Sequence, residues 1–422
     1  MLFHKETKEP SVNIITTWTD TNEAFYAPGA LVEVKNGKGL LREVHGKDNS
    51  ASYVTLMFGE QPLIQFQGDE YYCPTCEKML KSGYSLEQSK EFRMDAVNQG
   101  KEHVSFAEVL EEMKPLLGLM YSNHYIILDT KLYPTDGNGH LFWSVPNEDK
   151  SLPGTCLYQF RDGSYDWGNL HPYFTVASQS VGKLNEKQVE FYRQQKGTRA
   201  IAYYMDGYMT CLLDGHHKTM AAALEHEMVN AIVIMPCYLK KQVQEDGSYK
   251  DYIGCDDICF SCEEYGIQRD SSFMGEQISN HGMKQILKKI TSHSFSPWEQ
   301  SLPYDNDDLV SYYPSVDEVA YIDLVGEIKE EYLDQICKGE IQCSELEVCR
   351  LLRAMRGMKH KRLREVADAL LHRLYDKNSV YECVEALITL PHSEEFDQYM
   401  LDVMVEFEDD YPWVKELILN WL

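Results

Sequence analysis

The chain of 422 residues is long enough to fold as two or three domains with sizeable cores, and 43% of it is hydrophobic. Its formal net charge of −27 opposes a broad, sequence-independent grip on nucleic acid, which needs lysine and arginine to neutralise phosphates. No run of about 18 apolar residues offers a membrane span, and Met1-Leu2-Phe3-His4-Lys5-Glu6 lacks the apolar centre of a signal peptide, so a cytoplasmic protein without membrane contact is expected.

In chain order, residues 31–34 and 40–44 alternate apolar and polar side chains around Asn36-Gly37, which predicts a hairpin. Residues 53–58 read as another strand, and 63–72 as a strand-like lead into Cys73-Pro74-Thr75-Cys76. From 86 to about 121 the pattern is helical, with Ser105 placed to cap the stretch 106–113. Strands resume at 125–128 and 140–145 on either side of Asp136-Gly137-Asn138-Gly139, which reads as a tight turn. A helix is expected at 185–192.

The most informative stretch follows. Segments 200–204 and 208–212 flank Asp206-Gly207, the signal of a two-residue hairpin turn. The second strand runs into Asp214-Gly215-His216-His217-Lys218-Thr219, after which Met220, Ala223, Leu224 and Met228 keep helical spacing, and 231–235 returns as a buried strand closed by Pro236. A helix opening at Gly215 leaves its first N–H groups without intrahelical partners at the positive end of the helix dipole, and an anion completes that end. Gly215 admits positive φ and close approach of a ligand, and Thr219 joins it as a binding position. His216 and His217 bring imidazoles of adjustable charge, and Lys218 brings a point charge suited to phosphate. Asp214 either holds a histidine tautomer or helps to coordinate a Mg2+ ion that bridges phosphates.

The segment from about 181 to 235 resembles the ParB/sulfiredoxin superfamily, whose members carry Asp-Gly-His-His-Arg or a related motif between a strand and a helix. The resemblance implies binding of nucleotide phosphates (ATP, ADP or CTP) at that junction, with phosphoryl transfer in several branches. By position it falls on Asp214, Gly215, His216, His217, Lys218 and Ala221, with Lys218 standing where arginine is usual. Lysine keeps the charge but forgoes the planar bidentate contact. The helix expected at 185–192 matches the one that precedes the family's hairpin.

A second cysteine pair, Cys259-Phe260-Ser261-Cys262, echoes the first. A two-residue gap turns both thiolates of a pair toward one cation, and two pairs supply the four sulfurs of a closed, structural Zn2+ site, with Cys255 as a substitute ligand. A redox role for Cys73 and Cys76 would call for a βαβ setting, which the surrounding pattern does not give. A short helix near 282–290 and a linker over 294–315, with three prolines and Asp305-Asn306-Asp307-Asp308, precede helix after helix: 345–352, 363–374, 380–390, 396–407 and 413–421. From Ser301 onward there are 27 acidic against 12 basic side chains, yet Arg353, Arg356, Lys359, Lys361, Arg362 and Arg364 cluster, and pairing with acidic helices beside them is the expectation.

These readings give an α+β chain in three parts: a mixed α/β region with the first cysteine pair at 1–164, a ParB/sulfiredoxin-like unit with the second pair at 165–293, and an all-α, HEAT-like domain at 316–422 that binds a protein partner. The expected function is nucleotide binding with kinase-like phosphotransferase activity through Asp214, His216, His217 and Lys218. Glu186 and Glu190 are the nearest candidates for a base. The alternative is a nucleotide-responsive interaction module without catalysis. A ParB-fold nuclease stands third, since it needs a basic groove that the acidic balance opposes.

Overall fold

The computed structural model describes residues 8–21, 25–46, 54–59, 61–66, 95–144, 157–159, 165–167, 171–178, 181–244, 247–255, 258–268, 276–278, 282, 302–374 and 376–422. The chain is a mixed α+β protein. Five strands come first: β1 (Ser11–Trp18), β2 (Gly29–Lys35), β3 (Leu41–Gly46), β4 (Val54–Phe58) and β5 (Gln61–Phe66). Helices α1 (Asp95–Asn98) and α2 (Phe106–Leu117) lead to β6 (Asn123–Leu132), then to the short strands β7 (Leu157–Gln159), β8 (Tyr165–Trp167) and β9 (Phe174–Val176). Next come α3 (Glu186–Arg193), β10 (Arg199–Asp206), β11 (Met209–Asp214), α4 (His216–Leu224) and β12 (Val229–Pro236). The strands end with β13 (Tyr238–Val243), β14 (Tyr249–Cys255), β15 (Ile258–Ser261) and β16 (Glu276–Ile278), followed by α5 (Asn306–Val310).

Two compact units form, residues 1–156 with 169–313, and residues 314–422 with 157–168. The first is built on a seven-stranded sheet of order β1-β2-β6-β12-β10-β11-β9. Its middle strand, β12, is buried at every residue but Asn230, as expected of a strand covered on both faces. Ile126 and Leu128 of β6, Ala231 and Val233 of β12, and Ala200 and Ala202 of β10 make the core, all without exposed surface. Because β1, β2 and β6 precede residue 164 and β9 to β12 follow it, the regions expected as separate at 1–164 and 165–293 share one sheet. Smaller sheets of order β16-β3-β4-β5 and β13-β14-β15 complete the unit.

Three local expectations are corrected. The strands around Asn36-Gly37 exist but do not pair with each other: β2 joins the large sheet and β3 a small one. Asn36 takes φ 55°. The chain then binds the end of α2, with Lys38 N–H on the Gly118 carbonyl at 2.9 Å and Gly39 N–H on the Met120 carbonyl at 3.0 Å. A side chain at Gly37 would meet the Met120 carbonyl oxygen at 2.1 Å. The strand expected at 140–145 shrinks to a Thr135–Leu141 bridge followed by a turn, because Asp136 folds the chain back on itself. The Asp136 carboxylate accepts from Asn138 N–H at 2.8 Å and His140 N–H at 3.0 Å, and pairs with His140 Nδ1 at 2.8 Å, so this loop is a tight turn. The linker expected over 294–315 carries α5, and Tyr313 there donates its hydroxyl to the Glu227 carbonyl at 3.2 Å.

Besides the antiparallel β7–β8 pair, the second unit holds the helices α6 (Val316–Val325), α7 (Glu330–Lys338), α8 (Glu345–Gly357), α9 (Leu363–Leu371), α10 (Lys377–Leu387), α11 (Glu394–Phe407) and α12 (Pro412–Trp421). Ser315 and Ser344 form capping boxes with Glu318 and Glu347, while Asp376 and Ser393 cap α10 and α11. Each such cap contributes about 1 kcal/mol. The apolar stripes meet in a core that includes Leu333, Val348, Leu352, Val366, Val380 and Val414. The basic cluster faces acidic neighbours. Arg356 pairs with Glu318 and Glu385, and Arg362 with Glu330, Asp334 and Glu365. Arg364 lies over the Phe396 and Tyr399 rings. Among the described residues no helix is long and apolar enough to cross a membrane.

Candidate functional site

The strand-to-helix junction forms as its residue types dictate. β10 and β11 pair antiparallel around Asp206-Gly207, and β12 runs parallel to β10 on its other side, so α4 connects β11 to a strand two places away. Gly215 caps α4 with φ 95° and ψ 21°, a left-handed conformation open to glycine. A side chain there would meet Ala200 Cβ at 2.7 Å and Cα at 2.8 Å, so β10 closes the space as well. The first intrahelical bond runs from Thr219 N–H to the Gly215 carbonyl at 2.9 Å, and the Thr219 hydroxyl donates to the same oxygen at 3.1 Å. The amides of His216, His217 and Lys218 precede that bond.

The two histidines have different surroundings. His216 is buried beside Trp143, ring centroids 5.5 Å apart, and its Nε2 accepts from Ser178 N–H at 3.1 Å. That bond fixes the neutral tautomer with its proton on Nδ1, and burial pushes the ring down to about 3. His217 is half-buried with its ring edge-on to Trp143 at 5.6 Å. Its Nε2 lies 3.1 Å from Asn185 N–H and 3.2 Å from the Lys183 carbonyl. It accepts from the first when unprotonated and donates to the second when protonated. Burial lowers its pKa, while the Lys183 carbonyl and Asp214 oppose the shift.

Lys218 runs beneath the helix. Its ammonium is buried, donates to the Arg199 carbonyl at 2.7 Å and lies 4.0 Å from the Asp214 carboxylate and 5.6 Å from the Tyr192 ring centre. Burial lowers its pKa against the pull of Asp214. Arg199 is itself locked, giving Nε and Nη2 bonds to Asp129 at 3.2 and 3.0 Å, with Lys101 on the same carboxylate at 2.8 Å. Asp214 keeps a third of its side chain exposed, and with His217 it forms the open part of the junction. Of the base candidates, Glu190 is held by Arg193 and Gln194 at 3.1 and 3.3 Å, and Glu186 stands in the first turn of α3.

Asp214, Gly215, His216, His217, Lys218 and Thr219 are therefore brought together. Sequence reasoning missed the frame around them: Trp143, Ser178, Asn185 and Arg199. Only Asn185 carried a local signal, an N-cap residue type at a helix start, and it caps α3 by accepting from Lys187 N–H and Gln188 N–H.

Cys73 and Cys76 lie outside the described residues. Cys259 sits on β15 opposite Gly254, and Cys262 opens the turn just after it, its N–H on the Asp251 carbonyl at 3.0 Å. Cys255 and Cys237 are buried, and burial pushes the Cys237 thiol well up. Among the described residues alone, no group of three or more His, Cys, Asp or Glu side chains is arranged to hold a metal. Comparison with known proteins finds no family model, no curated protein and no solved structure that matches this chain.

Proposed function

We propose that the amino end of α4 binds the phosphates of a nucleotide, and that residues 181–235 are a ParB/sulfiredoxin-like unit. The observation that carries the reading is Gly215: at φ 95° it ends β11 and opens α4 at one point, with Asp214 and His217 at the open side and the buried Lys218 cation behind. A phosphate there meets oriented amides and the positive helix end. With its Nε2 held by Asn185 N–H, His217 would keep Nδ1–H to donate to the phosphate, and Asp214 would help to hold a Mg2+ that supplies charge neutralisation. Phosphoryl transfer falls to this pair, since electrostatic stabilisation of the moving group is most of what such a site supplies.

A second reading has its own support. His216 spends its Nε2 on Ser178 and Lys218 its ammonium on the Arg199 carbonyl, so two of the four residues expected to do chemistry hold the fold instead. That favours a nucleotide-responsive module over an enzyme. Calorimetry of the full chain with ATP, ADP and CTP in Mg2+ tests both. Binding to one of them, weakened roughly tenfold or more by His217→Ala, is expected from the loss of one charge-assisted bond. Gly215→Val, which collides with Ala200, removes binding. Binding without turnover of labelled nucleotide selects the module, and no binding to any of the three refutes both readings. We also propose that Cys259 and Cys262 complete a structural Zn2+ site with Cys73 and Cys76, the β14–β15 hairpin supplying one knuckle.

A further inference from the structure

The helical unit carries a cavity of about 580 Å3 that the nucleotide reading does not use. It is lined by Leu346 and Cys349 of α8, Tyr381 of α10 and Trp413 of α12. The Tyr381 and Trp413 rings are 5.3 Å apart and tilted by 52°, and Leu346 is 38% exposed, outside the apolar stripe of Val348, Leu351, Leu352 and Met355 that α8 buries. The floor is polar but already satisfied. Arg353 gives its Nε to Glu382 at 2.8 Å, a second bond to the same carboxylate, and its Nη1 to the Tyr321 hydroxyl at 2.6 Å. A ligand therefore has no buried charge to neutralise there, and the walls call for an apolar or aromatic side chain.

The surroundings select what flanks that side chain. The loop leading into Trp413 is Glu408-Asp409-Asp410, and Asp409 and Asp410 are exposed while Glu408 is held by Lys415 at 2.8 Å. Glu345 and Lys377 also line the cavity, and Glu345 accepts from the Asn378 side-chain amide. The four charged side chains of the lining balance, Glu345 and Glu382 against Arg353 and Lys377, so the acidic excess of this part of the chain, 27 against 12 from Ser301, sets the field outside it and steers a cation to the exposed Asp409-Asp410 step just before Trp413.

We propose that the α8–α10 cavity is the docking site for a linear protein segment that inserts one aromatic side chain between Leu346 and the Tyr381–Trp413 pair and sets basic residues against Asp409 and Asp410. The inference does not depend on the nucleotide site, and either can fail alone.

The test is fluorescence anisotropy of the full chain with a labelled eight-residue peptide holding one phenylalanine between lysines. Saturable binding is expected, weakened tenfold or more when the phenylalanine becomes alanine, when Leu346→Glu replaces the apolar contact by a carboxylate, or when salt is raised to about 0.5 M, where the Debye length shrinks to a few ångströms. Leu346 is exposed, so that variant keeps its fold, which circular dichroism checks. Asp409→Lys with Asp410→Lys leaves the cavity intact and should shift preference to a glutamate-flanked peptide. No saturable binding up to millimolar peptide, equal binding of the alanine peptide, or binding indifferent to Leu346→Glu and to the lysine reversal each overturns the proposal.

Discussion

Breaking the Arg353–Glu382 pair should unfold the helical unit more readily than any surface change in it. Both residues are about 6% exposed, and Arg353 spends three N–H groups on Glu382 and Tyr321 while lying over the Tyr321 ring at 4.8 Å. Glu382→Gln removes the countercharge and leaves a buried guanidinium with one hydroxyl and a neutral amide. Losing one partner of such a pair costs about 3–5 kcal/mol, a large part of the 5–15 kcal/mol that holds a domain folded. For a helical unit of this size that lowers the melting temperature by about 12 °C or more. The double change Arg353→Met with Glu382→Leu replaces the pair by apolar volume, and it should stay within about 2 kcal/mol of the parent. Fluorine-labelled tryptophan reports the transition through Trp413 and Trp421, which belong to this unit. A cost below about 1 kcal/mol for Glu382→Gln, or an equal cost for the double variant, would refute the reasoning.

Two further outcomes follow from the first unit. His216 is neutral when folded down to about 3, whereas in the unfolded chain it titrates near 6.5. Below pH 6.5 the unfolded chain takes up a proton that the folded one refuses, so stability falls with acidification toward about pH 3, at up to about 1.4 kcal/mol per pH unit for this group. Urea midpoints measured from pH 7 to 4 should show the slope, and His216→Gln, which can still accept from Ser178, should flatten it. An unchanged slope would mean that other groups set the acid limit. Metal analysis of protein purified without chelator should find about one Zn2+ per chain. Cys262→Ser should lower that content, and a metal-free parent would remove the zinc proposal.

How far the sequence could be read depended on whether the signal was local. The hairpin at Asp206-Gly207, the cap at Ser105 and the helices after residue 345 each rest on neighbours a few positions apart, and each is present. Asn36-Gly37 had the right residues for a hairpin, but the carbonyls of Gly118 and Met120, just past α2, captured the backbone on its far side, a contact some 80 positions away in the chain. At the junction, Gly215 could be assigned its turn because φ is written in the residue type. The fate of Lys218 could not, because the Arg199 carbonyl that holds it lies on another strand. The difference between His216 and His217 likewise rests on Ser178 and Asn185, which tertiary packing alone brings near.

The place of β12 has a consequence for how the chain is made. It is the last strand of the large sheet to be synthesised, and it lies fourth of seven, between β6 and β10. Until residue 236 has emerged, β1-β2-β6 and β10-β11-β9 are two half-sheets, and the edges of β6 and β10 that β12 will cover are open to pairing with another chain. Joining them pairs Leu132 with Val229, a distant contact of the kind that slows folding. The helices that follow close mostly on sequence neighbours and need no such wait. Nascent chains stalled before β12 should therefore be the form most exposed to aggregation and most in need of a chaperone.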